Sequence, residues 1–348
     1  MTMRAAMERL KWPFSLAVLG LVLVLIEPQS VWAQAQALQP VWLALALAVT
    51  VLQTLLSAWR WRFTAARLGL NLSWRQAVGD YYLASFANQT LPGGVLGDAW
   101  RAQRHAARQR KLPRQGVRDG DDAPAAAWRA VLIERGSGQV LVVLLSLLSL
   151  LALTHWQGSL SLTQVTASPG TAWTHTGTGA ILALVLVLPA LLAVSRRYWR
   201  PHWHRFRSDL LLALFSPRAL LPQLLSSLLI VSSYALVFLF GARAIGVTME
   251  APILLCLALP VLLAMLIPFS VAGWGWREAM AGGLWLSLGW PPEQGVAVSL
   301  TYGVIVFLAA TPGLFVWLAR PAQSEFRGGA QSPAPETNSA QDPRSTHP

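Results

Sequence analysis

Long runs of apolar residues alternate with short basic segments along most of the chain. A helix needs about 20 mostly apolar residues to cross the hydrocarbon core of a bilayer. The runs are continuous rather than alternating, which favours helices over the strands of a β-barrel. The pattern predicts an all-α, polytopic membrane protein with about 7–8 transmembrane helices. The predicted spans are Trp12–Ile26, Val41–Ala58, Ala130–Leu153, Gly177–Val194, Leu220–Gly241, Pro252–Ile267 and Gly295–Leu318.

The basic residues predict how these spans are oriented. Lys and Arg gather before the first span and in the stretches 57–76, 98–129, 195–219 and 320–348, whereas the loops 27–40 and 154–176 contain none. Cytoplasmic loops carry the excess of Lys and Arg in membrane proteins. We therefore expect a multi-pass protein of a bacterial-type cytoplasmic membrane with both termini in the cytoplasm. We also expect a membrane domain over residues 1–320 and a disordered cytoplasmic tail over residues 321–348.

Two weaker stretches, Ala77–Gly97 and Ala279–Trp290, are too polar, short or glycine-rich for simple spans. Because both segments that flank Ala77–Gly97 are predicted to be cytoplasmic, this stretch should enter and leave the membrane on one side, as a re-entrant element. The stretch Pro268–Trp290 is either a second re-entrant element or a short span followed by a loop.

Composition agrees with a membrane protein and excludes several other classes. Apolar residues make up 54% of the chain and charged residues only 12%, whereas soluble domains are about 25% charged. Cys256 is the only cysteine, which excludes a disulfide-linked scaffold. The formal charge of +12 follows the predicted cytoplasmic segments, so we expect no nucleic-acid partner.

A first candidate site is the segment Asn88–Arg101, which begins within the weak stretch Ala77–Gly97. Pro92 and Gly93 interrupt a helix there, and Asp98 and Arg101 can share a face of the helix that follows. The segment is either a broken helix that lines a polar site or a loop that leads into the basic cytoplasmic segment.

A second candidate site, near the C-terminus, contains the same combination of proline, glycine and arginine. Pro268, Gly273 and Arg277 repeat the spacing P-x4-G-x3-R of the first segment, which is a weak sign of an internal repeat. An unpaired cation between apolar segments costs about 2.5–3.5 kcal/mol. Sequence neighbours do not face each other on a helix, so we expect the partner of Arg277 to be Glu134, Asp98 or an anionic ligand rather than Glu278. Alternatively, Arg277 marks a cytoplasmic turn.

A third candidate site is the charged pair Glu134–Arg135 near the start of an apolar span. A charged pair in a span is expected to face the interior of the bundle, and Gly136 and Gly138 permit close helix approach. The alternative is a pair near the cytoplasmic end whose side chains extend to the interface.

Taken in order, the three segments read N-x-x-L-P-G-G-x-x-G-D-x-x-R, acid-Arg-x-x-Gly and P-x-S-x-x-G-x-G-x-R-E. This set resembles the flippase-like transmembrane domain family of lysylphosphatidylglycerol synthases, and the resemblance extends over about residues 10–320. The chain departs from the family pattern at Glu134, where Asp is usual, and at Trp274 and Trp276, where smaller apolar residues are usual.

The resemblance implies a domain with re-entrant elements that handles phospholipid headgroups. In bifunctional members this domain translocates an aminoacylated phospholipid, and a separate soluble domain performs the aminoacyl transfer. We expect a stand-alone member without that enzymatic activity, without a catalytic or metal site and without a cofactor. The headgroup-binding residues that the motifs mark are Asn88, Pro92, Gly93, Gly97, Asp98, Arg101, Glu134, Arg135, Ser270, Gly273, Gly275, Arg277 and Glu278.

These observations favour flippase-like translocation of a phospholipid or a lipid-linked substrate. The sequence contains no ATP-binding loop motif, so transport is expected to be passive, ion-coupled or driven by a partner. One alternative is a non-catalytic accessory subunit of a membrane glycosyltransferase or lipid-modifying enzyme. A third hypothesis, an intramembrane enzyme that uses Asp98 or Glu134 as acid or base, lacks a paired nucleophile.

Overall fold

The computed structural model describes residues 38–91, 94–111, 122–160, 200–266 and 272–318. The predicted spans at 12–26 and 177–194 and the predicted tail at 321–348 lie outside these ranges. The described part of the chain is helical and contains no strand, which confirms the predicted all-α class.

Ten α-helices lie in the described part of the chain. They are α1 (Pro40–Arg67), α2 (Trp74–Thr90), α3 (Leu96–Arg110), α4 (Ala123–Leu160), α5 (Arg200–Leu210), α6 (Leu220–Ala244), α7 (Ala251–Leu263), α8 (Trp276–Ser287), α9 (Pro292–Ala310) and α10 (Pro312–Leu318). A π-helical turn, Leu211–Phe215, follows α5, and a 3-10 turn, Ala264–Leu266, follows α7.

Four of these segments are long and apolar enough to cross a membrane. They are Pro40–Arg67, Ala123–Leu153, Leu220–Ala244 and Pro292–Leu318. At 1.5 Å per residue, the 28 residues of α1 extend about 42 Å, more than the thickness of the hydrocarbon core. The four apolar segments overlap four of the predicted spans, and they show that the chain is a multi-pass membrane protein. The fifth predicted span in the described part, Pro252–Ile267, is a shorter apolar helix, Ala251–Leu266.

Local sequence signals explain several helix boundaries. The Ser73 side chain accepts a hydrogen bond from the Gln76 backbone N–H, and the Gln76 side chain accepts one from the Ser73 N–H. This reciprocal cap satisfies two donors at the start of α2 that have no partner within the helix. Pro40 and Pro292 begin α1 and α9, where a missing N–H removes no helical hydrogen bond.

The predicted re-entrant stretch, Ala77–Gly97, contains most of α2 and ends at the start of α3, and these two helices pack against each other. Helix α2 ends at Thr90 and α3 begins at Leu96, so the break coincides with the predicted interruption. The backbone of Gly97 lies against the Ala84 carbonyl, and a Cβ at Gly97 would collide with it. The glycine therefore permits the close contact between α2 and α3.

The basic segment after this break is also part of the packed structure. Helix α3 buries one face, which includes Ala102, His105, Ala106 and Gln109, and exposes Arg110. The charge count alone indicated a cytoplasmic segment and did not reveal this amphipathic helix. Helix α4 begins at Ala123, seven residues before the predicted boundary at Ala130, because the alanines in between favour a helix.

A second interrupted region connects α7 to α8. Residues 267–271 lie outside the described ranges, and the chain turns at residues 272–275 before α8 begins at Trp276. Ala272, Gly273 and Gly275 adopt positive φ angles of 51°, 80° and 88°. Glycine adopts such angles without the steric cost that a side chain brings, which accounts for the two glycines in this turn.

The buried apolar residues form two clusters. One contains small residues with Trp61 and Tyr81 and joins α1, α2, α3 and the start of α4. The other contains Phe238, Trp285 and Tyr302 and joins α6, α7, α8 and α9. The first cluster contains much alanine, which lets helices approach closely and lets buried charges on different helices meet.

We predict that Gly97→Ala destabilises the protein, because its Cβ would meet a backbone carbonyl that cannot move without shifting α2. Overpacking of this kind costs about 1–3 kcal/mol. Thermal unfolding in mild detergent should show a melting temperature lowered by several degrees. Gly136→Ala is the matched control, since no atom lies within 4 Å of a Cβ there and alanine favours a helix. Equal melting temperatures for both variants would contradict the packing of α3 on α2.

Candidate functional site

The side chain of Asn88 on α2 forms hydrogen bonds across the break to the first turn of α3. Its Oδ1 accepts a hydrogen bond from the Gly97 N–H at 2.8 Å, and its Nδ2 donates to Asp98 Oδ2 at 3.0 Å. Asp98 lies in the first turn of α3, where the exposed N–H groups of the helix favour a negative charge. Asn88 and Gly97, both marked by the motif, thus position Asp98.

The second oxygen of Asp98 connects α3 to α4. Asp98 Oδ1 accepts hydrogen bonds from Arg101 Nε at 2.8 Å and from Arg135 Nε at 2.9 Å. Arg135 Nη2 also lies 2.9 Å from the same oxygen. One carboxylate therefore neutralises part of two guanidinium groups, one on each helix.

Arg101 extends this network to Glu134. Its Nη2 lies 2.5 Å from Glu134 Oε2, and its guanidinium lies between the rings of Trp61 and Tyr81, at 4.7 Å and 4.6 Å from the ring centroids. The Tyr81 hydroxyl donates to Glu134 Oε1 at 3.5 Å. Cation–π contacts of this kind are strongest where water is excluded, as it is around Arg101.

A fifth charged residue, Arg60 of α1, joins the cluster although the motifs do not mark it. Arg60 is only 2% exposed. Its Nη2 donates to the Glu134 backbone carbonyl at 2.9 Å and to Ser137 Oγ at 2.5 Å, and its Nε donates to Gln223 Oε1 at 3.1 Å. Sequence reasoning treated Arg60 only as one of the positive charges in the stretch 57–76.

The sequence contains a signal that could have identified Arg60. Along α1, small polar residues recur every three or four positions and lie on one buried face, at Thr50, Thr54, Ser57, Arg60 and Thr64. A polar stripe in an apolar span indicates a face that packs inside the bundle. Arg60 lies in this stripe, two residues beyond the end of the predicted span.

A small polar cavity lies beside the cluster. It has a volume of about 30 Å³ and is bordered by α1, α2, α4 and α6. Its lining includes Ser57, Arg60, Tyr81, Glu134, Arg135 and Tyr234. Arg135 is buried in part, with 31% of its side chain exposed, whereas Arg101 and Glu134 are fully buried. Of the two arginines that pair with Asp98, Arg135 is therefore the one whose side chain a ligand can reach.

The Arg277 segment forms a separate cluster with its own internal partner. Arg277 Nη2 lies 2.7 Å from Glu278 Oε1, and Ser299 Oγ bonds to both side chains at 2.9 Å. The expectation that Arg277 pairs with Glu134, Asp98 or a ligand instead of Glu278 is therefore wrong. At the start of α8 the Glu278 side chain folds back so that Oε2 accepts the Gly275 N–H at 2.7 Å, which brings Oε1 to the guanidinium.

The cluster of Arg277 and Glu278 is buried and closed to solvent. Arg277 is 1% exposed and Glu278 is 0% exposed, and the guanidinium lies 5.0 Å from the Trp274 ring and 5.5 Å from the Tyr302 ring. A Cβ at Gly303 would collide with it. The Arg277 charge is thus balanced by one carboxylate and enclosed on its other sides.

The predicted repeat does not correspond to equivalent structural positions. Arg101 lies in the second turn of α3, whereas Arg277 is the second residue of α8. Aligned on their first residues, the two helices instead place Asp98 opposite Glu278, the third residue in each. The shared feature is an acid in the first turn after an interruption.

The remaining marked residues fall in two groups. Gly273 and Gly275 form the turn before α8, and Gly275 is its N-cap. Pro92, Gly93 and Ser270 lie outside the described residues. Between the parts of the two clusters that the structure describes, no hydrogen bond or ion pair is present.

Comparison with known families identifies the family of the chain. The family described as the lysylphosphatidylglycerol synthase TM region matches residues 12–313 of the chain. This agrees with the resemblance that the three motifs indicated. Comparison with curated proteins gives no match, and comparison with solved structures gives none.

We predict that Arg277→Met lowers stability strongly, because it leaves Glu278 buried without its cation. Breaking a buried pair in this way costs about 3–5 kcal/mol. The double variant Arg277→Met/Glu278→Gln should recover much of this loss, since the glutamine can still accept the Gly275 N–H. Melting temperatures of Arg277→Met, Glu278→Gln and the double variant check the prediction. A double variant whose loss of stability equals the sum of the losses in the two single variants would contradict the pairing.

His105 provides a test that depends on pH. Burial on α3, which is not one of the four apolar spans, lowers the pKa of His105 to about 4. Below pH 6.5 the unfolded chain binds a proton that the folded protein does not, so stability falls as the pH drops toward 4. At pH 5 this loss is about 2 kcal/mol. Between pH 7 and pH 5, the His105→Gln variant should lose less stability than the wild type, measured by thermal unfolding. His204 on α5 is exposed, so His204→Gln is the control.

Proposed function

We propose that this chain, a multi-pass membrane protein that belongs to the lysylphosphatidylglycerol synthase TM-region family, binds phospholipid headgroups and moves them across the cytoplasmic membrane. In this proposal it acts without catalysing a reaction on the lipid. The cluster formed by Asp98, Arg101, Glu134 and Arg135 is the headgroup site.

The observation that supports this proposal is a charged network beside a polar cavity in an apolar bundle. Charged side chains in a membrane domain are costly, and they mark substrate pathways in transporters. The network joins α3 to α4, and the cavity that it borders also contacts α1 and α6. Polar groups from several spans around one cavity are typical of a site for a polar ligand.

The network contains both positive and negative side chains, and a phospholipid headgroup can bind to either. Arg135, which is partly exposed beside the cavity, can bind a phosphate oxygen. Asp98 and Glu134 would then remain available for a cationic headgroup, or would continue to neutralise Arg101 and Arg135. A headgroup inside the bundle would replace its lost hydration with these contacts. Transport would be passive, ion-coupled or driven by a partner.

We predict that purified protein in liposomes accelerates the exchange of fluorescent phosphatidylglycerol between leaflets, and that Arg135→Gln slows this exchange about tenfold by removing a charge-assisted hydrogen bond to phosphate. Dithionite bleaching of the label measures the exchange, because dithionite reaches only the outer leaflet. Arg135→Gln should fold, since Asp98 keeps its contacts with Arg101 and Asn88.

The control variant is Arg205→Gln, which removes one exposed cation from α5. It should exchange lipid at the wild-type rate. Wild-type liposomes that bleach no further than protein-free liposomes would overturn the transport proposal. They would favour the accessory-subunit alternative, which a stoichiometric membrane-enzyme partner in a pull-down would then support.

A further inference from the structure

The charged side chains that the structure describes around the cavity do not balance. Arg101 and Arg135 are paired with the carboxylates of Asp98 and Glu134, so these four residues are neutral together. Arg60 adds one further positive charge at the same cavity. An unbalanced cation inside an apolar bundle is unfavourable, and an anion in the cavity would remove this cost.

Among the described residues, the hydrogen-bond partners of Arg60 are neutral acceptors. Its hydrogen bonds go to the Glu134 backbone carbonyl, Ser137 Oγ and Gln223 Oε1. Among the residues that the structure describes, no carboxylate oxygen lies within salt-bridge distance of its guanidinium. These bonds fix the orientation of the side chain through Nε and Nη2 and leave its charge without an anionic partner.

The remaining nitrogen, Nη1, lies beside a space that a glycine leaves open. Within the described part of the chain Nη1 makes no hydrogen bond, and a Cβ at Gly138 would lie 3.2 Å from it. Gly138 lines the same cavity as Arg60. The absence of a side chain at Gly138 therefore leaves room next to an unused donor.

We infer that Arg60 binds the phosphate of the lipid headgroup, with Nη1 as the donor and Gly138 as the residue that leaves room for the phosphate oxygen. This inference rests on the proposed function and adds a residue that neither the motifs nor the family match assigns. Arg135, which lines the same cavity, binds the same phosphate. The cavity of about 30 Å³ has room for water-sized groups only, so a phosphate oxygen enters it and the rest of the headgroup stays at its opening.

The test is a competition between two lipids with identical acyl chains, phosphatidylglycerol and diacylglycerol, of which only the first has a phosphate. Purified full-length protein in mild detergent is incubated with both at equal concentration, and mass spectrometry measures the lipids that it retains. The wild type should enrich phosphatidylglycerol, and Arg60→Gln should lower the ratio of the two retained lipids about tenfold, which is the loss expected for one charge-assisted hydrogen bond.

Arg62→Gln is the matched control, because it removes the same charge two residues further along α1. Arg62 is exposed and donates to the Leu72 carbonyl outside the cavity. Arg62→Gln should keep the wild-type lipid ratio. If Arg60→Gln also keeps it, the inference is wrong while the proposed headgroup binding stands. If the wild type itself shows no enrichment, the proposed function fails as well.

A second pair of variants tests the site without removing a charge. Gly138→Ala places a methyl group beside Arg60 Nη1 and should lower the lipid ratio several-fold, whereas Gly136→Ala has open space and should not change it. This pair applies even if Arg60→Gln does not fold. An unchanged ratio in Gly138→Ala would overturn the placement of phosphate beside Arg60.

Free phosphate is the other source of the same chemistry. Adding sodium phosphate without lipid would reveal it as a higher melting temperature of the wild type but not of Arg60→Gln. That result, together with no enrichment of phosphatidylglycerol, would show that the cavity takes an inorganic anion and would overturn the lipid inference.

Discussion

The ion pairs that Asp98 and Glu134 make with Arg101 and Arg135 hold α3 and α4 together inside the bundle. Charges in apolar surroundings are stable only when they are paired and hydrogen-bonded, so each of these side chains restricts where the others can lie. Asn88 fixes Asp98, and Trp61 and Tyr81 enclose Arg101. The approach of α2 to α3 at Gly97 and the position of α4 both follow from this requirement.

Two clusters of similar composition differ in whether a ligand can reach them. The Arg277–Glu278 pair is enclosed by aromatic rings and by the backbone of α9, and its charges cancel. The cluster around Asp98 borders a cavity, includes a partly exposed arginine and has one more positive charge than negative. This difference supports the proposal that a ligand binds at the cluster around Asp98 and that the Arg277–Glu278 pair is structural.

The sequence predicted much of this arrangement because apolar runs and interruptions are local features. Four apolar spans and the break before Leu96 agree with the structure. The motifs also contained Asn88, Asp98, Arg101, Glu134 and Arg135, and the structure brings these five residues together.

Side-chain pairing was harder to predict, because it depends on tertiary contacts and on the geometry at helix ends. The rule that neighbouring residues point apart applies inside a helix, and it failed for Arg277 and Glu278 because the Glu278 side chain folds back to cap α8. The number of Lys and Arg residues around residue 60 predicted the orientation of the spans. It could not show that α4 and α6 supply neutral acceptors for Arg60. The contacts that define the cavity come from residues far apart in the chain.

An electron cryo-microscopy structure of the protein in a phosphatidylglycerol nanodisc tests the central claim most directly. The account predicts lipid density whose headgroup enters between α1, α4 and α6, with phosphate in contact with Arg60 and Arg135. Headgroup density at Arg277, with the cavity beside Glu134 free of lipid, would contradict the account.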